Sequence, residues 1–262
     1  MRTIVFLDLD NTYWNWGKVP ESALRAVRMA QANGHVVVAN TSRTRGGVQG
    51  GWPSELDGIC AAAGMDVSLH GEQLVLETLG CERAREVFEG IDIGRGLIMA
   101  EGTQRDYVFS RVPCLELMAR HFARRGFGPD FFLGDMRTMT DDDFAQIQKF
   151  GITFPEGPKP KLIAKLRLPE GIVAAPMSFA VDVTDARFSK VTAMDVIRDR
   201  LGGTWRTVAF GDSPNDIPML QAADVGVAMG NGKASVKAAA DHVTDHIDHD
   251  GLLHAFEHLE LV

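Results

Sequence analysis

Ile4-Val5-Phe6-Leu7-Asp8-Leu9-Asp10-Asn11-Thr12 decides the reading of this chain. Four apolar residues in a row read as a short strand buried on both faces, and the carboxylates begin where it ends. A second stretch near the other end has the same form. There Thr207-Val208-Ala209-Phe210 runs into Gly211-Asp212-Ser213-Pro214-Asn215-Asp216. Acidic residues after buried strands lie where open α/β sheets place their chemistry. Brought together by folding, these carboxylates repel one another unless a cation sits among them. That arrangement suits a divalent metal and phosphate chemistry.

Strand and helix signals alternate on both sides of these stretches. After strand Thr3–Leu7, Pro20 opens a helix that Gly34 closes, and Val36–Ala39 reads as a strand. Pro53 to Ala63 reads as a helix and Val67–Leu69 as a strand. The last third continues with helix Ser189–Leu201, strand Val208–Phe210, helix Ile217–Ala222, strand Val225–Ala228, and helices at Ala234–Ala240 and Leu252–Leu259. This rhythm predicts an α/β fold with a doubly wound, Rossmann-like parallel sheet.

The middle differs. Tyr107–Phe109, Leu162–Leu168 and Ser178–Val183 read as strands, with helices at Leu115–Arg124 and Asp141–Phe150. Thr140 is placed to cap the second helix, with Asp143 as its acidic capping partner. The expectation is an α+β cap domain over residues 78–182, inserted into a core made of 1–77 and 183–262.

Bulk properties limit the function. A net charge of −8 over 262 residues advertises no basic face for nucleic acid, and no apolar run approaches membrane-spanning length. Cys60, Cys81 and Cys114 stand far apart, which argues for a reducing compartment. With no signal peptide apparent, the expected setting is the cytoplasm. The expected partner is a small phosphorylated molecule, and the chain itself a monomer or homodimer.

In an extended strand end, Asp8 and Asp10 face one side. One carboxylate can attack phosphorus while the other handles protons. Asp212 and Asp216 could complete a magnesium shell, with Asn215 adding a neutral oxygen or fixing a carboxylate. Thr41 could hold phosphate with its hydroxyl and nearby backbone N–H groups, and Lys190 could neutralise the cluster as a point charge. One such loop alone would pass for an ordinary turn or helix cap; two at matching strand ends do not.

In order, Asp8–Thr12, Asn40-Thr41-Ser42-Arg43, Ser189-Lys190 and Gly211–Asp216 resemble the four motifs of the haloacid dehalogenase superfamily. The runs Asp216–Leu220, Val227–Gly232 and Val236–Asp241 are similar to its Cof-type sugar phosphatase branch. Asn11 replaces a more usual glycine. The run Asn40 to Arg45 is closer to mannosyl-3-phosphoglycerate phosphatases, which favours an acidic phosphosugar that Arg43 and Arg45 could meet. The resemblance implies Asp8 as a nucleophile forming an aspartyl-phosphate and Asp10 as general acid/base. It implies Thr41, Ser42, Arg43, Lys190 and Asn215 around the phosphoryl group. Mg2+ would be held by Asp8, Asp10 (through its backbone carbonyl) and Asp212, with Asp216 supporting. The implied activity is Mg2+-dependent hydrolysis of a sugar phosphate or phosphorylated sugar acid. A phosphosugar mutase of similar core is the alternative, and a non-catalytic phosphometabolite sensor a more distant one.

Other features read two ways. Tyr13, Trp14 and Trp16 either stack on a substrate ring or pack beneath the cap. His242, His246, His249, His254 and His258 suggest a metal, but they flank an ordinary amphipathic pattern and read better as a solvated face. Lys159, Lys161, Lys165 and Arg167 could meet a substrate anion. The last three share parity along the expected strand, and a solvated sheet face explains them more simply.

Overall fold

The computed structural model describes residues 1–15, 18–48, 52–91, 96–110, 136–153, 160–177 and 180–262. The chain forms two compact units, Met1–Ser42 with Gly50–Leu76 and Ser189–Val262, and Arg43–Gln49 with Glu77–Phe188.

The first unit is built on strands β1 (Thr3–Leu7), β2 (Val36–Asn40), β3 (Gly58–Ala61), β4 (Asp66–Leu69) and β5 (Glu72–Leu76). The chain returns to it after the second unit's β6 (Leu97–Gly102), β7 (Asp106–Ser110), β8 (Ile147–Thr153), β9 (Ile172–Pro176) and β10 (Val181–Asp185). Strands β11 (Arg206–Gly211), β12 (Val225–Ala228) and β13 (His242–Val243) then complete it.

The first unit's sheet runs β13-β12-β11-β1-β2-β3-β4-β5. Its first six strands are parallel, and β4 and β5 close the edge antiparallel. Strand order reverses between β1 and β11, the switch point where sites form in open α/β sheets. Every residue of β1 and β2 is buried, as strands covered on both faces require. Ile4 and Phe6 join Ala193, Met194 and Ile197 of the helix Lys190–Leu201 in one core cluster. Phe210 meets Phe256 of the helix Gly251–His258 at 5.4 Å between ring centroids.

The second unit's sheet is antiparallel throughout, in the order β7-β6-β8-β10-β9. Phe88, on the helix Cys81–Gly90, packs edge-on against Phe109 and tilted against Phe144. Lys149 projects from the central strand β8, 97% buried, and its Nζ lies 2.8 Å from Asp182 Oδ2 and 3.6 Å from Glu101 Oε1. Burial pushes Glu101 up to about 8 even with this ammonium beside it.

Three expected elements are corrected. Pro53–Ala63 is not a helix: a turn leads into β3, and Ala62 and Ala63 take φ of 48° and 53°, which ends any helical path. A short buried apolar run does not tell strand from helix by periodicity alone. Asp141–Phe150 is a helix only to Ala145, with the expected Thr140–Asp143 capping box, because Ile147–Thr153 pairs between β6 and β10. Leu162–Leu168 is not a strand: Pro160 starts a short helix to Ile163, and open chain follows. Lys161, Lys165 and Arg167 therefore share no strand face. The segment Leu115–Arg124, Cys114, Lys159 and Trp16 lie outside the described residues. Among the described residues no helix is long and apolar enough to cross a membrane.

Removing the Lys149 ammonium leaves the Asp182 carboxylate and the Glu101 carboxyl without the cation they share. Lys149→Met is expected to destabilise the second unit by about 3 kcal/mol or more, read as a lower denaturant midpoint. An unchanged midpoint would contradict the ion-pair account.

Candidate active site

The site forms at the carboxyl ends of β1 and β11, which are hydrogen-bonded neighbours. Asp8 follows β1 directly, and its N–H continues the ladder to the Phe210 carbonyl at 3.0 Å. Asp212 follows β11, so the switch point carries a carboxylate from each side.

Lys190 joins these strand ends. It is the first residue of its helix, and the Ser189–Thr192 capping box sets where that helix begins. Its backbone carbonyl accepts from Asn40 Nδ2 at 2.9 Å. Its Nζ donates to Asp8 Oδ1 and to Asp216 Oδ1, both at 2.6 Å. All three side chains are at least nine-tenths buried. Burial alone would lower the lysine, but the Asp216 and Asp8 carboxylates outweigh it and hold the ammonium charged.

Asp216 is spent on architecture as well. Its Oδ2 accepts from the N–H groups of Asp212 at 3.1 Å and Ser213 at 2.9 Å, which ties the loop to the next helix. Gly211 is required for this approach, since a Cβ there would stand 2.4 Å from the Asp216 Cβ.

Oxygens of Asp8, Asp212 and Asp216 lie within 4.8 Å of one another, the one such group of three potential metal ligands among the described residues. Burial, then Asp216, raises Asp8 well above the usual carboxylate range, and the same two causes push Asp212 up to about 7. Crowded, buried, all-oxygen donors with raised affinity for protons fit a small hard divalent cation.

The remaining expected residues divide. Thr41 is buried after β2, its N–H on the Cys60 carbonyl at 2.8 Å. Ser42 Oγ accepts from Asn215 Nδ2 at 3.3 Å. Arg43 belongs to the second unit, where its guanidinium donates to the Gly47 carbonyl at 3.1 Å. Asn11 takes φ of 59°, the left-handed conformation that asparagine tolerates better than most residues. Tyr13 is fully buried and donates to Glu55, and Trp14 is buried as well, so both pack rather than stand open to a ring.

The C-terminal histidines make pairwise contacts: His254 with Asp245 at 2.7 Å, His246 with Asp248 at 3.6 Å, and His242 stacked on His258. Two supporting residues went unrecognised as such in the sequence. Asn40 fixes the Lys190 backbone. Asn231 donates to the Asn11 carbonyl at 2.7 Å and accepts from Ile247 N–H at 2.9 Å, bracing the Asp8–Thr12 turn. A polar residue ending an apolar run was the available signal for Asn40.

A model of the haloacid dehalogenase-like hydrolases matches residues 5–256. The Bacillus subtilis protein YkrA is 27% identical, covering 99% of this chain and 98% of its own length. YcsE of the same species, a 5-amino-6-(5-phospho-D-ribitylamino)uracil phosphatase, is 40% identical over 79 residues, 30% of this chain and 32% of its own. A solved phosphatase of the haloalkanoate superfamily from Bacteroides thetaiotaomicron is 25% identical with a TM-score of 0.81, covering 100% of this chain and 96% of its own.

An Asp212 at about 7 binds more protons in the folded chain than in the unfolded one, so the metal-free protein loses stability as pH rises from the ordinary carboxylate value through about 7. A bound cation takes the proton's place. Added Mg2+ should therefore raise the melting temperature more at about pH 8 than at about pH 5.5. Equal shifts at both would contradict the carboxylate crowding.

Proposed function

Because the chain belongs to the haloacid dehalogenase-like hydrolases and is a phosphatase, we propose that it hydrolyses a small phosphomonoester through an aspartyl-phosphate on Asp8. The substrate is a sugar phosphate or phosphorylated sugar acid. The observation that carries this reading is the buried Lys190 bridge between Asp8 and Asp216, beside Asp212, at the switch point. Lys190 pairs the buried Asp8 carboxyl with a cation of the kind that a phosphoryl group needs, and a bound divalent ion would displace the proton that burial favours there.

In the first step a carboxylate oxygen of Asp8 attacks phosphorus, and the bond from phosphorus to the substrate oxygen breaks. Asp10 gives that leaving oxygen its proton. Asp10 then takes a proton from water as the water oxygen attacks the same phosphorus, and the bond to Asp8 breaks to release phosphate. Lys190, Thr41 and Ser42 hold the phosphoryl oxygens, with Asn215 positioning Ser42. Phosphoryl transfer asks the protein chiefly for such positioning and charge neutralisation.

Mg2+ would be held by Asp8, Asp212 and the backbone carbonyl of Asp10, with Asp216 supporting, and would supply positive charge against the phosphoryl oxygens. The stretch 78–182 serves as a cap that selects substrate, with Arg43 on its side. The ribitylamino phosphate in the name of YcsE supports a phosphorylated polyol or sugar as substrate class. Free thiols at Cys60 and Cys81 support a cytoplasmic setting.

The test is phosphate release from a panel of sugar phosphates and phosphorylated sugar acids, with Mg2+ and with chelator. Asp8→Asn is expected to reduce release at least about 1,000-fold while leaving the melting curve intact. A variant with near-normal rate would remove Asp8 as nucleophile. An isomeric phosphosugar formed in place of free phosphate would make the protein a mutase.

A further inference from the structure

Trp14 ties the turn that carries Asp10 at three points. The N–H groups of Tyr13 and Trp14 both donate to the Leu9 carbonyl at 3.0 Å, and Asn11 N–H donates to the Trp14 carbonyl at 2.8 Å. The Trp14 side chain folds back over the same turn, and its indole Nε1 donates to Asp10 Oδ1 at 3.2 Å. The residue is only 6% exposed, so its N–H needs a protein partner, and the Asp10 carboxylate is that partner.

The last torsion of an aspartate is broad and roughly two-fold, so the chain alone does not aim the carboxylate plane. A donor fixed on one oxygen does. We propose that Trp14 is a positioning residue for Asp10, its buried indole N–H holding one oxygen so that the proton carried by the group keeps one direction. This rests on the assignment of Asp10 to proton transfer and names what aims it. Asp8 is aimed separately, by Lys190, so losing the indole N–H leaves the nucleophile's own contact in place.

Leaving-group chemistry separates this role from a purely structural one. An alkoxide leaving from a sugar phosphate needs the proton that Asp10 gives, whereas p-nitrophenolate is a weak base and leaves without it. A positioning role therefore shows in kcat/KM, which reports the first bond cleavage, and only for the poor leaving group.

The experiment measures kcat/KM of wild type and Trp14→Phe with Mg2+ on the best sugar phosphate and on p-nitrophenyl phosphate. The proposal expects a loss of about tenfold or more on the sugar phosphate and less than about twofold on the aryl ester. Equal losses on both, or none on either, would overturn it. Should Trp14→Phe fail to fold, benzothienylalanine placed at position 14 keeps the ring's shape and removes only the N–H, and the same comparison decides. Wild-type protein that releases phosphate from neither ester would refute the phosphatase reading itself, a result distinct from equal losses in the variant.

Discussion

The Lys190 ammonium, held 2.6 Å from Asp8 and 2.6 Å from Asp216, is the contact on which the site depends. Two strands that meet at a switch point bring their acidic ends together whether or not the charges suit one another. Buried carboxylates without a cation would protonate or force the strand ends apart. A lysine at the start of a capped helix reaches Asp8 and Asp216 together. Its position is secured from three sides: Ser189 sets the helix start, Asn40 holds its carbonyl, and Asp216 receives its charge. One cation does not neutralise Asp8, Asp212 and Asp216 together, and the residual crowding is what invites a metal.

The same physics recurs in the second unit with a different outcome. Lys149 also sits between two acidic groups, Asp182 and Glu101, but on neighbouring strands of an antiparallel sheet. There burial keeps Glu101 raised even beside the ammonium, and Lys149 and Asp182 make the close pair. The difference lies in topology. Parallel strand ends at a switch point gather loops and backbone N–H groups, whereas Lys149, Glu101 and Asp182 come from neighbouring antiparallel strands and meet through their side chains.

Much of this was legible in the sequence, for physical reasons that differ by element. Strands β1, β2 and β11 are covered on both faces, so their apolar runs stand out from the polar loops that follow. The helices at Glu21–Ala32 and Lys190–Leu201 carry their own start and stop residues. The clustered carboxylates Asp8, Asp212 and Asp216 could be named because strand ends announce them. The run Ile147–Thr153 was not legible, because Ile147 and Phe150 keep helical spacing while pairing with β6 and β10 decides the conformation. Gly58–Ala61 was too short to separate from a helix, and the basic residues after Pro160 lost their common face with the strand that was expected there. Within the site, the sequence names Lys190 but not its second partner, and it marks Trp14 as aromatic without showing that its N–H meets Asp10. Such contacts depend on distances between residues far apart in the chain or on the closure of a single turn.

The central claim is a covalent phosphoryl group on Asp8, and it can be trapped. Enzyme turning over its best sugar phosphate with Mg2+ is quenched in acid, reduced with borohydride and mapped by mass spectrometry, since an acyl phosphate is reduced to the alcohol while a free carboxylate is not. The account predicts homoserine at position 8 that appears only with substrate. Reduction at another carboxylate, or none during active turnover, would contradict it.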